Sequence, residues 1–283
     1  MKILLCGGSG YIGSYLSSQL KVQTSVISID FDDGPSEKDC INLNLTDINQ
    51  VKDFAYNCAH FDVLIFLVGL AHAKGKGKDL PVFKKVNYQT LVNLLSALRS
   101  NNKIPDKIIF SSTISVYGER INQNMYTEDS EKNPFSPYAV TKLEAEQYLL
   151  DKYAEKSWIL RFAPVYSSNF LLNINRRIRM GSKFYRVGKG SRKLSLCNIE
   201  NIRVAVEAII KDKVPAGIYN LSDQKEYTYT ELLRCQKANW VFPIPLFAVG
   251  ILYYLGKFFN STFLKENSVK LISDNVFPSD KIR

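Results

Sequence analysis

The 283-residue chain is long enough for one or two domains. Its 46% hydrophobic and 23% charged residues exclude a disordered chain or a repetitive fibre. Lys and Arg outnumber Asp and Glu by 37 to 27, a net charge of +10. The cations read as scattered, with no nucleic-acid-binding motif beside the densest run, Lys74–Lys76–Lys78, so no nucleic-acid partner is expected.

In chain order, short apolar runs alternate with segments of helical period. Ile3–Cys6, Ser25–Ile29, Val63–Val68 and Lys107–Ser111 are rich in Val, Ile, Leu and Phe and read as buried parallel strands. Tyr11–Leu20, Asp47–Tyr56 and Val82–Arg99 read as helices. Leu91, Leu94, Leu95 and Leu98 give the last an apolar face at i, i+3, i+4, i+7. Pro137–Glu155 is a further helix with proline in its first turn, and Trp158–Phe162 a further strand. This alternation implies an α/β fold, a doubly wound parallel sheet with right-handed crossovers.

Beyond about Ala163 the rhythm changes. A basic helix containing Arg176, Arg177 and Arg179 leads to a Gly188–Lys189–Gly190 turn, a helix at Ile199–Ile210, a strand at Ile218–Leu221 and a helix from near Thr230. The expected organisation is a Rossmann-type domain over 1–163 and a smaller α/β substrate lobe over 164–283, with some segments returning to the sheet.

Cys6, Cys40, Cys58, Cys197 and Cys235 are odd in number, widely spaced and never in a C-x-x-C pair. That argues against a disulfide framework or zinc site and for a reducing compartment. His60 and His72 are the only histidines, so no metal centre is expected. The chain opens on a strand-like run without the shape of a signal peptide, and the expected location is the cytoplasm.

Gly7-Gly8-Ser9-Gly10-Tyr11-Ile12-Gly13 joins the first strand to the first helix. Glycines there permit a tight turn, let backbone N–H groups approach a pyrophosphate and bring helix and strand close; the positive end of the helix dipole faces the anion. The second strand ends at Asp30, where an acid bonds the adenosine ribose and repels a 2′-phosphate. The reading is dinucleotide binding, NAD rather than NADP. Asp32 and Asp33 add negative charge or are simply loop residues.

With its G-x-x-G-x-x-G spacing, the chain resembles the extended short-chain dehydrogenase/reductase family, in its nucleotide-sugar epimerase/dehydratase branch. Leu67-Val68-Gly69-Leu70-Ala71-His72 and Val86-Asn87 resemble the same family. The resemblance covers about residues 1–223 and implies NAD contacts at Gly7, Gly10, Tyr11, Ile12, Gly13, Asp30, Asn44, Leu45, Val68, Gly69 and Asn87. Asn44 stands where the family carries an adenine-contacting acid, and an amide-to-amine bond is the expected substitute.

Tyr-x-x-x-Lys occurs at Tyr138/Lys142, Tyr148/Lys152, Tyr185/Lys189 and Tyr253/Lys257. Only Tyr138 follows a proline-marked helix start, Pro134-Phe-Ser-Pro137, downstream of a strand ending in Ser111, Ser112 and Thr113. The family pattern makes Thr113, Tyr138 and Lys142 the catalytic set, with Tyr138 and Lys142 also touching the dinucleotide and Ser112 and Thr113 the substrate. A tyrosine of ordinary pKa near 10 needs a neighbouring cation to act as a base at neutral pH.

The resemblance then implies a choice of reactions on a nucleotide-diphosphate sugar. Dehydratases of this branch carry an Asp-Glu pair after the threonine; here Ile114 and Ser115 follow, which argues against dehydration. Reductases commonly use NADPH, against Asp30. The expected activity is therefore a 4-epimerase that oxidises C4 and returns the hydride to the other face, with a 4-keto reductase as the alternative. A non-catalytic dinucleotide sensor is the non-enzymatic reading. Ala163 replaces a substrate-contacting asparagine and Leu194 a phosphate-binding arginine, which leaves Arg176, Arg177 or Arg192 for the diphosphate. The chain also stops at Lys281-Ile-Arg283, where relatives usually continue.

The apolar run at 245–259 reads first as a helix packed into the substrate lobe or at a subunit contact, and alternatively as a membrane-surface helix. Its apolar stretch Phe247–Leu255 is too short to span a bilayer. Family analogy implies a homodimer through the helices at Val82–Arg99 and Pro137–Glu155.

Overall fold

A computed structural model describes residues 1–31, 40–71, 80–118, 120–121, 123–259 and 261–283. Asp32, Asp33, His72 and Lys74–Lys76–Lys78 lie outside the described residues. The chain begins β1 (Lys2–Cys6), α1 (Tyr11–Leu20), β2 (Ser25–Asp30), β3 (Cys40–Asn42), α2 (Ile48–Asn57), β4 (Val63–Phe66). It continues α3 (Leu80–Lys84), α4 (Thr90–Ser100), β5 (Lys107–Thr113), α5 (Pro137–Tyr153), β6 (Ser157–Phe162) and β7 (Val165–Tyr166). Next come α6 (Leu172–Ile178), β8 (Arg179–Met180), β9 (Lys183–Val187), β10 (Lys193–Leu194), β11 (Cys197–Asn198) and α7 (Ile199–Ile210). The last elements are β12 (Gly217–Leu221), β13 (Tyr227–Thr228), α8 (Tyr229–Cys235), β14 (Val241–Ile244), α9 (Leu246–Phe258) and α10 (Thr262–Ile272).

The main sheet has seven strands in the order β12-β6-β5-β4-β1-β2-β3. β1 pairs in parallel with β2 on one side and β4 on the other. The direction of winding reverses between β1 and β4, and in such sheets ligands bind at the strand carboxyl ends beside that reversal. The doubly wound parallel sheet read from the sequence is therefore present.

The chain divides into two compact units, each assembled from three segments. The first comprises Met1–Ser112, Pro137–Leu160 and Arg203–Ile218; the second comprises Thr113–Ser136, Arg161–Ile202 and Tyr219–Arg283. The core of the first unit joins Leu4, Cys6, Ile29, Leu64, Phe66 and Phe110 of the sheet to Leu91, Leu94, Leu95 and Leu98 of α4, the face that the leucine spacing predicts. The second unit has its own core around Ile174, Ile178, Leu194, Leu196, Leu232 and Leu233.

Two local expectations need correction. The helix expected over Val82–Arg99 is interrupted by a π-helical turn at Lys85–Gln89, a widening that is common at functional sites. Arg179 does not continue the basic helix: α6 ends at Ile178, and Arg179 opens β8, its guanidinium 4.1 Å over the Phe184 ring. The five cysteines are all free thiols.

Candidate active site

The glycine turn has the tightness its sequence demands. Gly7 sits at φ +89°, and its N–H donates to Ile29 O at 2.9 Å. A Cβ on Gly13 would lie 2.0 Å from Gly7 O, so only hydrogen fits there. The helix that follows has no side-chain cap and no acid in its first turn. Its N-terminal N–H groups and dipole therefore suit an anion.

Asp30 closes this cradle from the end of β2. Its carboxylate accepts from Ser9 N at 2.9 Å and Phe31 N at 2.8 Å. An acid beside the glycines in this way fits the ribose of an NAD adenosine and repels a 2′-phosphate. Gly13→Ala is expected to overpack the turn at a cost of about 1–3 kcal/mol. Its melting temperature should fall by about 2–4 °C per kcal/mol, and the purified protein should lose its dinucleotide; unchanged cofactor content would contradict this reading of the turn.

The exit of β4 is tied to α5 by two buried side chains. Lys142 is 2% exposed, and its Nζ donates to Val68 O at 3.1 Å and lies 4.7 Å over the Phe110 ring. Gly69 makes room for it: a Cβ there would come within 3.1 Å of that Nζ. Asn87, on the π turn, accepts from Leu70 N at 2.6 Å and donates to Thr141 Oγ1 at 3.1 Å. Val68, Gly69 and Asn87 are thus brought together with Lys142, and Asn87 acts on the loop through hydrogen bonds to its backbone.

Burial pushes the Lys142 ammonium down to about 7, and the Glu146 carboxylate opposes that shift. Glu146 is 1% exposed and accepts a short hydrogen bond from the Ser112 hydroxyl. Ser112, expected at the substrate, is instead buried and turned toward α5, so its hydroxyl secures Glu146. Sequence reasoning missed Glu146, although Tyr138, Lys142 and Glu146 recur every fourth residue on one helical face. Tyr138 is partly exposed at the start of α5. The lysines of the other three Tyr-x-x-x-Lys pairs, Lys152, Lys189 and Lys257, are all exposed.

Asn44 and Leu45 serve local structure. Asn44 Oδ1 accepts from Thr46 N at 3.0 Å and Thr46 Oγ1 at 2.8 Å, which engages the amide oxygen expected to reach adenine. Leu45 is buried, and its carbonyl accepts from Asn93 Nδ2 at 3.0 Å. Tyr11 and Ile12 occupy the first turn of α1. His60, Asp62 and Asp106 approach within 4.8 Å of one another on the surface. Asp62 also accepts from Lys2 N at 2.6 Å and Asp106 lies 3.9 Å from Lys156 Nζ, so the chain's own groups engage both carboxylates.

In the second unit, Thr113 is 7% exposed and caps the short helical turn Ile114–Tyr117, its Oγ1 accepting from Ser115 N at 3.2 Å. Arg176 is exposed on α6. Arg192, a candidate for the diphosphate, lies 3.9 Å from Asp274 instead. Arg177, Lys270, Ser195, Tyr229 and Asn275 help line a cavity of about 20 Å³, room for one water. Arg177 and Lys270 bring two cations to it, an arrangement that the sequence spacing of 93 residues conceals.

The family model described as NAD dependent epimerase/dehydratase family matches residues 3–222. Escherichia coli O157:H7 N-acetyl-alpha-D-glucosaminyl-diphospho-ditrans,octacis-undecaprenol 4-epimerase is 26% identical over 82% of this chain and 70% of its own length. An uncharacterized UDP-glucose epimerase of Bacillus subtilis (strain 168) is 32% identical over 59% of this chain and 57% of its own. The UDP-glucose 4-epimerase of Thermus thermophilus, solved with NAD, shares the fold at TM-score 0.69 and 23% identity, covering 87% of this chain and 86% of that one. The chain therefore belongs to the NAD dependent epimerase/dehydratase family, enzymes whose dinucleotide is NAD.

Proposed function

We propose that the protein is a 4-epimerase of a diphosphate-linked hexose, in the first instance a nucleotide sugar. The observation that carries this is the buried Lys142 ammonium on the helical face of Tyr138, within the unit that holds the glycine cradle and Asp30. The backbone of Gly7–Gly13 would hold the pyrophosphate, Asp30 the adenosine ribose and Lys142 the nicotinamide ribose. NAD, when bound, supplies a reversible electron-pair acceptor through which a secondary alcohol becomes a ketone and returns. Tyr138 takes the proton from the C4 hydroxyl oxygen and gives it back. Lys142 favours the phenolate that this needs, and Glu146 favours the ammonium form of Lys142. Ile114 and Ser115 supply no carboxyl group after Thr113, which supports epimerisation over dehydration.

A second reading concerns the carrier. The Escherichia coli relative is named for a sugar on undecaprenyl diphosphate, and a lipid-linked N-acetylhexosamine is the corresponding alternative substrate here. Freshly purified protein should release NAD on denaturation and interconvert the 4-epimers with no cofactor added. UDP-hexoses and polyprenyl-diphosphate hexosamines, assayed side by side, separate the two carriers. Turnover that requires NADPH and consumes it in proportion to product would replace the epimerase with a 4-keto reductase.

A further inference from the structure

The run at 245–259, expected first as core or subunit contact, folds as α9 with its large side chains outward. Phe247 is 71% exposed, Tyr254 66% and Phe258 82%; Ile251 and Leu255 are exposed on the same face. The inward side is narrow. Val249 and Gly256 are buried, and a Cβ on Gly256 would lie 2.8 Å from Leu264 Cβ, so α9 rests closely on α10. A water-facing helix of a globular protein has the reverse arrangement. Trp240, 68% exposed just before β14, and Phe242, 52% exposed within it, add two aromatic side chains on the strand that runs through Pro245 into α9. Large apolar side chains left exposed along one helical face in this way mark an interaction site.

Charge identifies what covers it. Residues 1–163 hold 18 Lys and Arg against 18 Asp and Glu, whereas residues 164–283 hold 19 against 9. The whole net charge of +10 therefore lies in the second stretch, contrary to the scattered reading. Residues 164–199, which carry β8 and β9, contain eight Lys and Arg and no Asp or Glu; residues 232–265, which carry β14 and α9, contain four and none. β9 and β14 are hydrogen-bonded neighbours, so the two carboxylate-free segments adjoin. Lys183, Lys189, Lys237 and Lys257 are exposed, and none has a carboxylate partner among the described residues. A second copy would meet this face with the same positive charge, whereas an anionic lipid surface complements both the apolar helix face and the basic segments that carry and adjoin it.

Length fixes the mode of contact. The 13 residues of α9 extend about 20 Å at 1.5 Å per residue, short of the roughly 30 Å hydrocarbon layer. No described helix is long and apolar enough to cross a membrane. We propose that the outer face of α9, together with Trp240 and Phe242, lies in the headgroup–acyl boundary of an anionic bilayer, held there by the surrounding lysines and arginines.

The test uses the full chain with phosphatidylcholine vesicles, pure or containing roughly one-third phosphatidylglycerol. Cosedimentation should favour the anionic vesicles by about tenfold or more and weaken as salt rises. Trp240 emission should shift to the blue on binding, and Trp240→Phe should abolish that shift, since Trp158 is buried. Phe247→Ser with Phe258→Ser should reduce partition about tenfold without changing the melting temperature or cofactor content, because both side chains face outward. Absence of vesicle binding, or full binding by the double variant, would overturn the proposal. A dimer that dissociates in the double variant, with no lipid binding by either protein, would instead assign the patch to a second copy.

Discussion

Tyr138→Phe is expected to lower turnover by about 10²–10⁴-fold, the range that a positioned acid–base contributes, while leaving cofactor content and melting temperature unchanged. The substitution removes one oxygen from a partly exposed side chain at the start of α5, so no core packing is lost. The glycine cradle and Asp30 remain intact, and NAD should still be released stoichiometrically on denaturation. Initial rates at saturating sugar, measured beside the cofactor content of the same preparation, provide the check. Turnover within threefold of the parent would remove Tyr138 from the reaction and leave the buried lysine without its proposed partner. A protein that lost both activity and NAD would instead place the side chain in cofactor retention.

The sequence discloses most of what repeats locally. The Val-, Ile- and Leu-rich runs place β1, β2, β4, β5 and β6, because buried parallel strands need apolar side chains on both faces. The four-leucine face of α4 and the bounds of α7 follow from helical period. The glycine turn is legible because its requirement is steric: at Gly13 no side chain fits. What remains hidden depends on juxtaposition. Ser112 and Glu146 are 34 residues apart, and nothing in the strand pattern says which hydroxyl turns to the helix. Asn44 looks available to a ligand until its amide oxygen is seen closing a turn with Thr46. The run at 245–259 has core composition, and composition cannot say which face a helix leaves uncovered. The whole-chain charge likewise averages a neutral first stretch with a strongly basic second one.

Lys142→Met is expected to lower turnover by about 10²-fold or more and to change how stability depends on pH. Burial brings the lysine from its ordinary value of 10.5 to about 7 in the folded protein. Below about 7 folded and unfolded chains both carry the proton, and the penalty of burying the ammonium is present in full. Between about 7 and 10.5 the unfolded chain binds more protons than the folded one, so stability rises with pH across that window. The slope contributed by one such group approaches about 1.4 kcal/mol per pH unit at its steepest. Denaturant titrations of protein stripped of dinucleotide, at pH values from 6 to about 10, should show this rise in the parent and its loss in Lys142→Met; parallel profiles for the two proteins would contradict it. Glu146→Gln separates charge from position, because its amide can still accept from Ser112 while no longer favouring the ammonium. Lys142 should then lose its proton at lower pH, and the alkaline limb of the rate profile should move down with it. If Glu146 only braced the helix, activity would fall by a similar factor at every pH, whereas a role through Lys142 spares the acidic side and depresses the alkaline one.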